Sequence, residues 1–321
     1  LRSVSLPDSV LTVGRNPFYD CRHLLEITVA EGNPALSAVD GVLFRIEDRQ
    51  LVSYPAGLKK ADYAVPDGTV SIGERAFYQC DALENVVLPD SVTEIGEEAF
   101  NFCTSLENLK MSDGVTKIGD SAFLHCESLG EATLPDGLEY IGEYAFSYCS
   151  SLESLVIPSS ATEIGEAAFA HNARLKSVTL GDGATCVVQY MFYDCSALES
   201  VVLPDSVSVI GTRAFYSCRD MKDIALPKGL STVEYEAFAL CSALTDVELP
   251  DGLTAIGEGA FNRCGALSSL TIPDSVTEIG EDAFEKCSNL QLTVSRGSYA
   301  AQYAEENSIP FTYPDANDWL N

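Results

Sequence analysis

Eleven cysteines, three histidines and a recurring aspartate are the residues here whose chemistry could be catalytic or metal-binding. Their spacing argues otherwise. Ten of the cysteines (Cys21, Cys80, Cys103, Cys126, Cys149, Cys195, Cys218, Cys241, Cys264 and Cys287) stand at one place in a repeating pattern, and Asn172 takes that place once. Stacking the repeats sets equivalent residues about 5 Å apart, a strand spacing. That is within disulfide reach, but parallel Cβ vectors cannot close the bond without backbone movement. Buried free thiols are the expectation, with Cys and Asn exchanging where a small side chain faces loop backbone. Cys186 lies off the column and is expected at the surface. His125 and His171 share a position two repeats apart, about 10 Å by the same spacing, too far for one metal ion. His23 stands in another column. No Ser-His-Asp or Cys-His arrangement has positional support.

The aspartates Asp8, Asp67, Asp90, Asp113, Asp136, Asp182, Asp205, Asp251 and Asp274 admit two readings, a calcium ladder or turn chemistry. Lys228 and Ser159 take the position with no other change, which favours turns in which each carboxylate bonds its own local amides. The acids Glu74, Glu97, Asp120, Glu143, Glu166, Glu258 and Glu281 read as a solvated stripe. No cofactor, no metal and no catalytic residue is expected.

The elements that position these residues are read from the stretch Leu88–Cys103, LPDSVTEIGEEAFNFC, which returns at 272–287 as IPDSVTEIGEDAFEKC. Phenylalanines fall at 77, 100, 123, 146, 169, 192, 215, 238, 261 and 284, each 23 residues from the last, and Phe18 with Cys21 marks an eleventh unit. Such a period predicts a solenoid, in which each unit buries its apolar face only against its neighbours. In residues 106–126, Leu106, Leu109 and Met111 form a strand facing inward, with Asn108 and Lys110 outward. A Pro-Asp turn ends the strand, and Val115 and Ile118 return to the core. Gly119 suits a sharp bend, and Ala122-Phe123-x-x-Cys126 is expected to make a single helical turn. The Phe column is core.

The fold expected is one curved right-handed solenoid over residues 1–313, with a parallel sheet on its concave face. Phe18 and Phe77 are 59 residues apart, 36 more than the period. The excess predicts a variant repeat over about 30–66, with an inserted hairpin of VLFRI and LVSYP around EDRQ. After Cys287, a capping segment over about 290–313 holds a helix Tyr299–Glu306 N-capped by Ser298, then a last strand from Ile309 to Tyr313. Residues 314–321 read as a tail. The chain opens without Met, inside a repeat strand, and so reads as a segment with any signal peptide, anchor or further repeat upstream.

Charge limits the partners. Against 48 acids there are 19 bases, a net charge of −29. Residues 1–62 carry 8 acids and 7 bases, so nearly all the excess lies on the later repeats. Such a surface repels phosphate backbones and anionic lipid, which excludes nucleic acid as a partner, and no apolar run is long enough to span a membrane. The outward strand rows, Ser3 to Ser269 and Ser5 to Thr271, hold neither aromatics nor Arg, the usual hot-spot types. The aromatics Tyr19, Tyr78, Phe102, Tyr148, Tyr193 and Tyr216 lie instead one or two places after the Phe, on the loop edge. They are the candidate ligand-binding residues. Tyr193 and Tyr216 are the sharpest pair, in adjacent repeats and beside the irregular unit with Gly181, Cys186 and Val188.

The LPDSVTEIGEEAFNFC unit resembles the BspA-type (Treponema pallidum-type) leucine-rich repeats of bacterial surface proteins, over essentially residues 1–313. The V-D-G-V-L-F…Y-P variant and the G-S-Y-A-A-Q-Y-A segment at 297–304 are similar to that family's longer repeat and closing cap. The resemblance implies a secreted or cell-surface, adhesin-like, non-enzymatic module, monomeric, contacting a surface or matrix protein or a glycan. The alternative is a spacer with no ligand of its own.

Overall fold

The computed structural model describes residues 1–314; of the tail expected over 314–321, all but Pro314 lies outside the described residues. The chain forms two compact units, Leu1–Asn172 and Ala173–Asn321, each a β-solenoid of mostly strand and loop.

In the first unit, strands Ser3–Leu6 and Glu26–Val29 pair in parallel, Ser3 beside Glu26. The inserted segment makes three antiparallel strands, Leu36–Val39, Val42–Arg45 and Gln50–Ser53. The last of these starts a parallel sheet of two-residue strands: Ser71–Ile72, Glu94–Ile95, Lys117–Ile118, Tyr140–Ile141 and Glu163–Ile164. The hairpin is therefore the first layer of that sheet. A second parallel sheet, of longer strands, joins Asp62–Ala64, Asn85–Val87 and Asn108–Lys110. It then loses its pairing. The next repeat makes only one bridge, Asn108 with Glu131, before strand Ser154–Ile157 resumes.

The second unit repeats the plan. Its two-residue sheet runs Cys186–Val187, Val209–Ile210, Thr232–Val233, Ala255–Ile256 and Glu278–Ile279. Its long-strand pairs include Ser177–Leu180 with Ser200–Val202 and Asp223–Ile224 with Asp246–Val247. The cap forms where the sequence places it. Ser298 accepts from the Ala301 N–H at the start of helix Tyr299–Glu306, and Phe311–Thr312 adds a strand beside Gln291–Thr293.

Alternation explains the core. Leu109, Leu155 and Val178 are buried while Asn108, Lys110, Ser154 and Thr179 are exposed. The ten phenylalanines from Phe77 to Phe284 are buried and form one column in each unit. In the first, Phe77, Phe100, Phe123 and Phe146 stack at centroid steps of 4.6, 5.2 and 4.9 Å. In the second, Phe192, Phe215 and Phe238 step by 5.6 and 5.3 Å. Each ring stabilises by roughly 1.5–3 kcal/mol through burial. Tyrosines close the exposed ends: Tyr54 and Tyr63 pack on Phe77, and Tyr303 of the cap helix packs edge-on to Phe284.

Two local expectations are corrected. Ala-Phe-x-x-Cys is not a helical turn. It is a chain of i to i+3 turns, Ala122 N–H to Gly119 O, Leu124 to Ser121 and Cys126 to Phe123. Ser121 and His125 within it have φ of 55° and 59°, left-handed values that no helix contains. Gly119, in turn, does not supply the left-handed bend. It sits where the chain passes the repeat before it, and a Cβ there would come 2.6 Å from the Glu97 nitrogen. Glycine recurs in this column because of close approach, although Val188 and Glu234 take the place in two repeats.

Candidate functional site

The left-handed residues two before and two after each Phe build the loop edge. Their amides reach across to the next repeat: Phe102 N–H to Leu124 O, His125 to Ser147 and Tyr148 to Ala170. A positive φ in bulky residues costs about 1–3 kcal/mol apiece, and these bonds offset it. The same geometry points the side chains away from the core, where they meet their counterparts one repeat on.

In the first unit the result is a run of six rings. Tyr19 meets Tyr78 edge-on at 5.8 Å, and Tyr78 meets Phe102 at 6.2 Å. Phe102, His125, Tyr148 and His171 then stack nearly parallel at 4.6, 4.5 and 4.3 Å. Sequence reasoning set the two histidines aside as widely spaced. They occupy the same repeat position as Phe102 and Tyr148, and the Tyr148 ring lies between them. That shared position was the available signal. Tyr148 is 39% exposed and Tyr19 is 44% exposed, while the other rings are half-buried.

In the second unit Tyr193 and Tyr216 stack at 4.9 Å with planes 5° apart, and Tyr190 meets Tyr193 edge-on. One face of each ring is covered by the other. Burial pushes the Tyr193 phenol above its ordinary pKa, as it does that of Tyr78.

Each unit also places an arginine among its tyrosines. Arg75 forks onto Glu98 with bonds of 2.8 and 2.7 Å and lies 5.1 Å from the Tyr19 ring. Arg213 bonds Glu236 at 2.6 Å and lies 5.6 Å from the Tyr216 ring and 5.1 Å from that of Tyr235. The Arg75 hydrogen bond holds the Glu98 carboxyl below its ordinary pKa. Burial lowers the Arg213 pKa, but the hydrogen bond and charge of Glu236 together with hydrogen bonds to Tyr190 and Tyr235 raise it overall. The two constellations lie six repeat lengths apart, in RAFYQC at 75–80 and RAFYSC at 213–218. Both arginines hold left-handed backbone, with φ of 56° and 52°.

The model of the BspA type leucine rich repeat region matches the sequence in six copies, over residues 1–45, 57–176 and 162–291. The chain belongs to the BspA-type leucine-rich repeat family. Among solved structures it is similar to the leucine rich repeat protein of T. pallidum, at 34% identity over 57% of this chain and 85% of that one, with a TM-score of 0.51. It is also similar to a leucine rich cell surface protein of Faecalibacterium prausnitzii, at 26% identity over 97% and 90% of the two chains and a TM-score of 0.45. The Bacteroides ovatus leucine-rich repeat protein matches at 24% identity over 87% and 98%, with a TM-score of 0.44. No curated protein matches the chain. Leucine-rich repeat domains are protein-interaction modules, and this repeat family is typically non-enzymatic.

The other chemistry-bearing residues of these BspA-type repeats serve the fold. The column cysteines are free thiols. Cys103 Sγ donates to Phe77 O at 3.0 Å, in the preceding repeat, and Cys126 and Cys149 do the same to Phe100 and Phe123. Asn172 shows why it replaces Cys: its Nδ2 donates to Phe146 O and Phe169 O. Burial raises the Cys241 thiol to about 12 and that of Cys80 well above its ordinary value. Full burial fails at the column's ends, where Cys21 and Cys287 are partly exposed, as is Cys186.

The Pro-Asp turns are closed by backbone bonds, Val92 N–H to Pro89 O and Leu138 N–H to Pro135 O, with hydroxyls such as Ser91 Oγ donating to Thr69 O. Asp90 and Asp136 stand exposed beside those bonds. Among the described residues no group of three or more His, Cys, Asp or Glu is gathered to hold a metal ion. No helix among them is long and apolar enough to cross a membrane.

Proposed function

We propose that the chain is the binding module of an extracellular or cell-surface protein, adhesin-like and without catalytic activity, and that it contacts a surface or matrix protein through its loop edge. The observation that carries this is the Tyr-Arg-Glu constellation built twice, around Arg75 and around Arg213. Tyr and Arg are enriched in protein hot spots, where they supply large contact area and directed donors. Folding alone does not ask for them: Ser121, Tyr144 and Ala167 occupy the Arg75 position in other repeats.

A protein suits the surface better than a glycan does. Sugars stack on open ring faces, and the faces of Tyr193 and Tyr216 are turned on each other. The intact long-strand sheet offers Ser, Thr and Val with scattered acids, and no donor fork.

The test is a screen of immobilised matrix proteins and glycans with the whole chain, run beside Arg213→Ala/Tyr216→Ser. Binding to a protein that the double variant weakens at least tenfold supports the module. No binding to any surface supports a spacer without a ligand.

A further inference from the structure

The sheet of two-residue strands in the first unit presents two outward rows, and both change character at one repeat. The first residues of its strands, paired in register, are Ser71, Glu94, Lys117, Tyr140 and Glu163, and Tyr140 is the one aromatic among them. The second unit has Cys186, Val209, Thr232, Ala255 and Glu278 in that row, again without an aromatic. The residues one place earlier in the first unit are Val70, Thr93, Thr116, Glu139 and Thr162. Hydroxyls in this second row bond back to the preceding repeat, Thr93 Oγ1 to Val70 O and Thr116 Oγ1 to Thr93 O. Glu139 has no hydroxyl and interrupts the ladder. The Thr162 hydroxyl, one repeat on, has no bonded partner among the described residues.

Glu139 and Tyr140 border a groove of about 830 Å³, whose lining includes Lys117, Thr162 and Glu163. Small-molecule sites run from about 300 to 1,000 Å³. The Tyr140 hydroxyl donates to Asp120 Oδ1 at 3.1 Å, and the same oxygen accepts the Glu143 N–H, so the ring is pinned at its tip. No other ring packs on Tyr140 among the described residues, whereas Tyr193 and Tyr216 are stacked on each other. Lys117 Nζ lies 5.8 Å from the Tyr140 ring centroid and bonds Glu94 at 2.8 Å. The side chains of Glu139 and Glu163 are exposed, and neither carboxylate has a bonded partner among the described residues.

We infer that this groove is a binding site for an uncharged hexopyranose of a glycan, laid against Tyr140 with its hydroxyls on Glu139, Glu163 and Thr162. A pyranose carries C–H groups on its faces and hydroxyls around its rim, and each hydroxyl both donates and accepts. The groove offers the counterpart of each: an aromatic ring, two carboxylates that accept, and the Lys117 ammonium and Thr162 hydroxyl that donate. An anionic sugar would be repelled by Glu139, Glu163 and Asp120. A basic side chain from a peptide would meet the Lys117 ammonium already at the ring. The site uses none of the residues of the tyrosine-arginine edge and does not depend on it.

The probes are cellotriose, maltotriose, mannotriose and triacetylchitotriose, each titrated into the whole chain by calorimetry, beside 3′-sialyllactose and the peptide Gly-Arg-Gly-Arg-Gly. At least one neutral trisaccharide is expected to bind tenfold or more tightly than either charged probe. Tyr140→Thr and Glu139→Thr each install a residue that other repeats carry at that place, Thr232 and Thr116, so both variants should keep the urea midpoint. Tyr140→Thr should weaken the sugar at least tenfold and Glu139→Thr about threefold. Tyr193→Ser/Tyr216→Ser, at the loop edge, should leave its affinity unchanged. Binding of none of the four trisaccharides overturns the site, as does equal or tighter binding of sialyllactose or of the arginine peptide. So does a trisaccharide affinity that survives Tyr140→Thr.

Discussion

Two ladders of rings run through the first unit, two residues apart in sequence. The inner one is Phe100, Phe123, Phe146 and Phe169, and the outer is Phe102, His125, Tyr148 and His171. Inner steps are 5.2, 4.9 and 5.6 Å and outer steps 4.6, 4.5 and 4.3 Å. The spacing is a property of the repeating backbone, since both ladders have it. What differs is the tolerance of the site. Inside, only Phe fills the space, ten repeats running. Outside, Phe, His, Tyr, Gln, Asp, Ser, Leu, Arg and Lys all occupy the position two after the Phe. An aromatic ladder on that edge is therefore a choice of sequence, whereas the inner one is a condition of folding.

The largest expected contrast is in alkali. Unfolded thiols lose their protons near pH 8.5, roughly. Burial raises the pKa of Cys80, Cys126, Cys149, Cys218, Cys241 and Cys264, so the folded forms stay protonated. The unfolded chain then binds fewer protons, and stability present below that pH is lost as pH rises. Each such thiol contributes up to about 1.4 kcal/mol per pH unit. Urea midpoints measured under reducing conditions should fall steeply between about pH 8.5 and 10; a flat profile would mean that the column is not buried.

Next is the inner ladder itself. Phe146→Ala removes a fully buried ring from between Phe123 and Phe169. It should cost about 3–5 kcal/mol in urea unfolding. The outer counterpart, Tyr148→Ala, should cost no more than about 1.5 kcal/mol, because that ring is partly exposed and loses mainly its aromatic contacts. Equal losses in the two variants would erase the distinction between the ladders.

The smallest effect is at the Arg75–Glu98 pair. Because the Glu98 pKa is lowered, its stabilising contribution is present above the unfolded value, about 4.3, and is lost as pH falls through the folded one. Glu98→Gln should therefore lower stability at neutral pH, by about 0.2–1 kcal/mol for a surface pair, and not at pH 2. A difference that persists there would place its cause outside this ion pair.

The solenoid was legible because its signal repeats. A single Phe is ambiguous, but eleven at a fixed role are not. The inserted hairpin and the Ser298-capped helix were legible because turn residues and a capping serine carry their own local physics. The loop edge was only partly so. Tyr19, Tyr78, Phe102, Tyr148, Tyr193 and Tyr216 were found by type, while His125 and His171 were missed because histidines invite a search for metal. Arg75 and Arg213 were missed because they lie before the Phe.

The central claim is that the loop edge makes contact with partners and the intact sheet does not. The direct test uses the protein that emerges from the matrix screen, with affinity measured for Tyr193→Ser/Tyr216→Ser and for Thr179→Ala/Val202→Ala. Thr179 and Val202 are neighbours across paired strands, with both side chains exposed, so each double variant alters two adjacent surface positions. The account expects at least a tenfold loss from the tyrosine pair and under twofold from the sheet pair. A loss from the sheet pair with the tyrosine pair unchanged would contradict it.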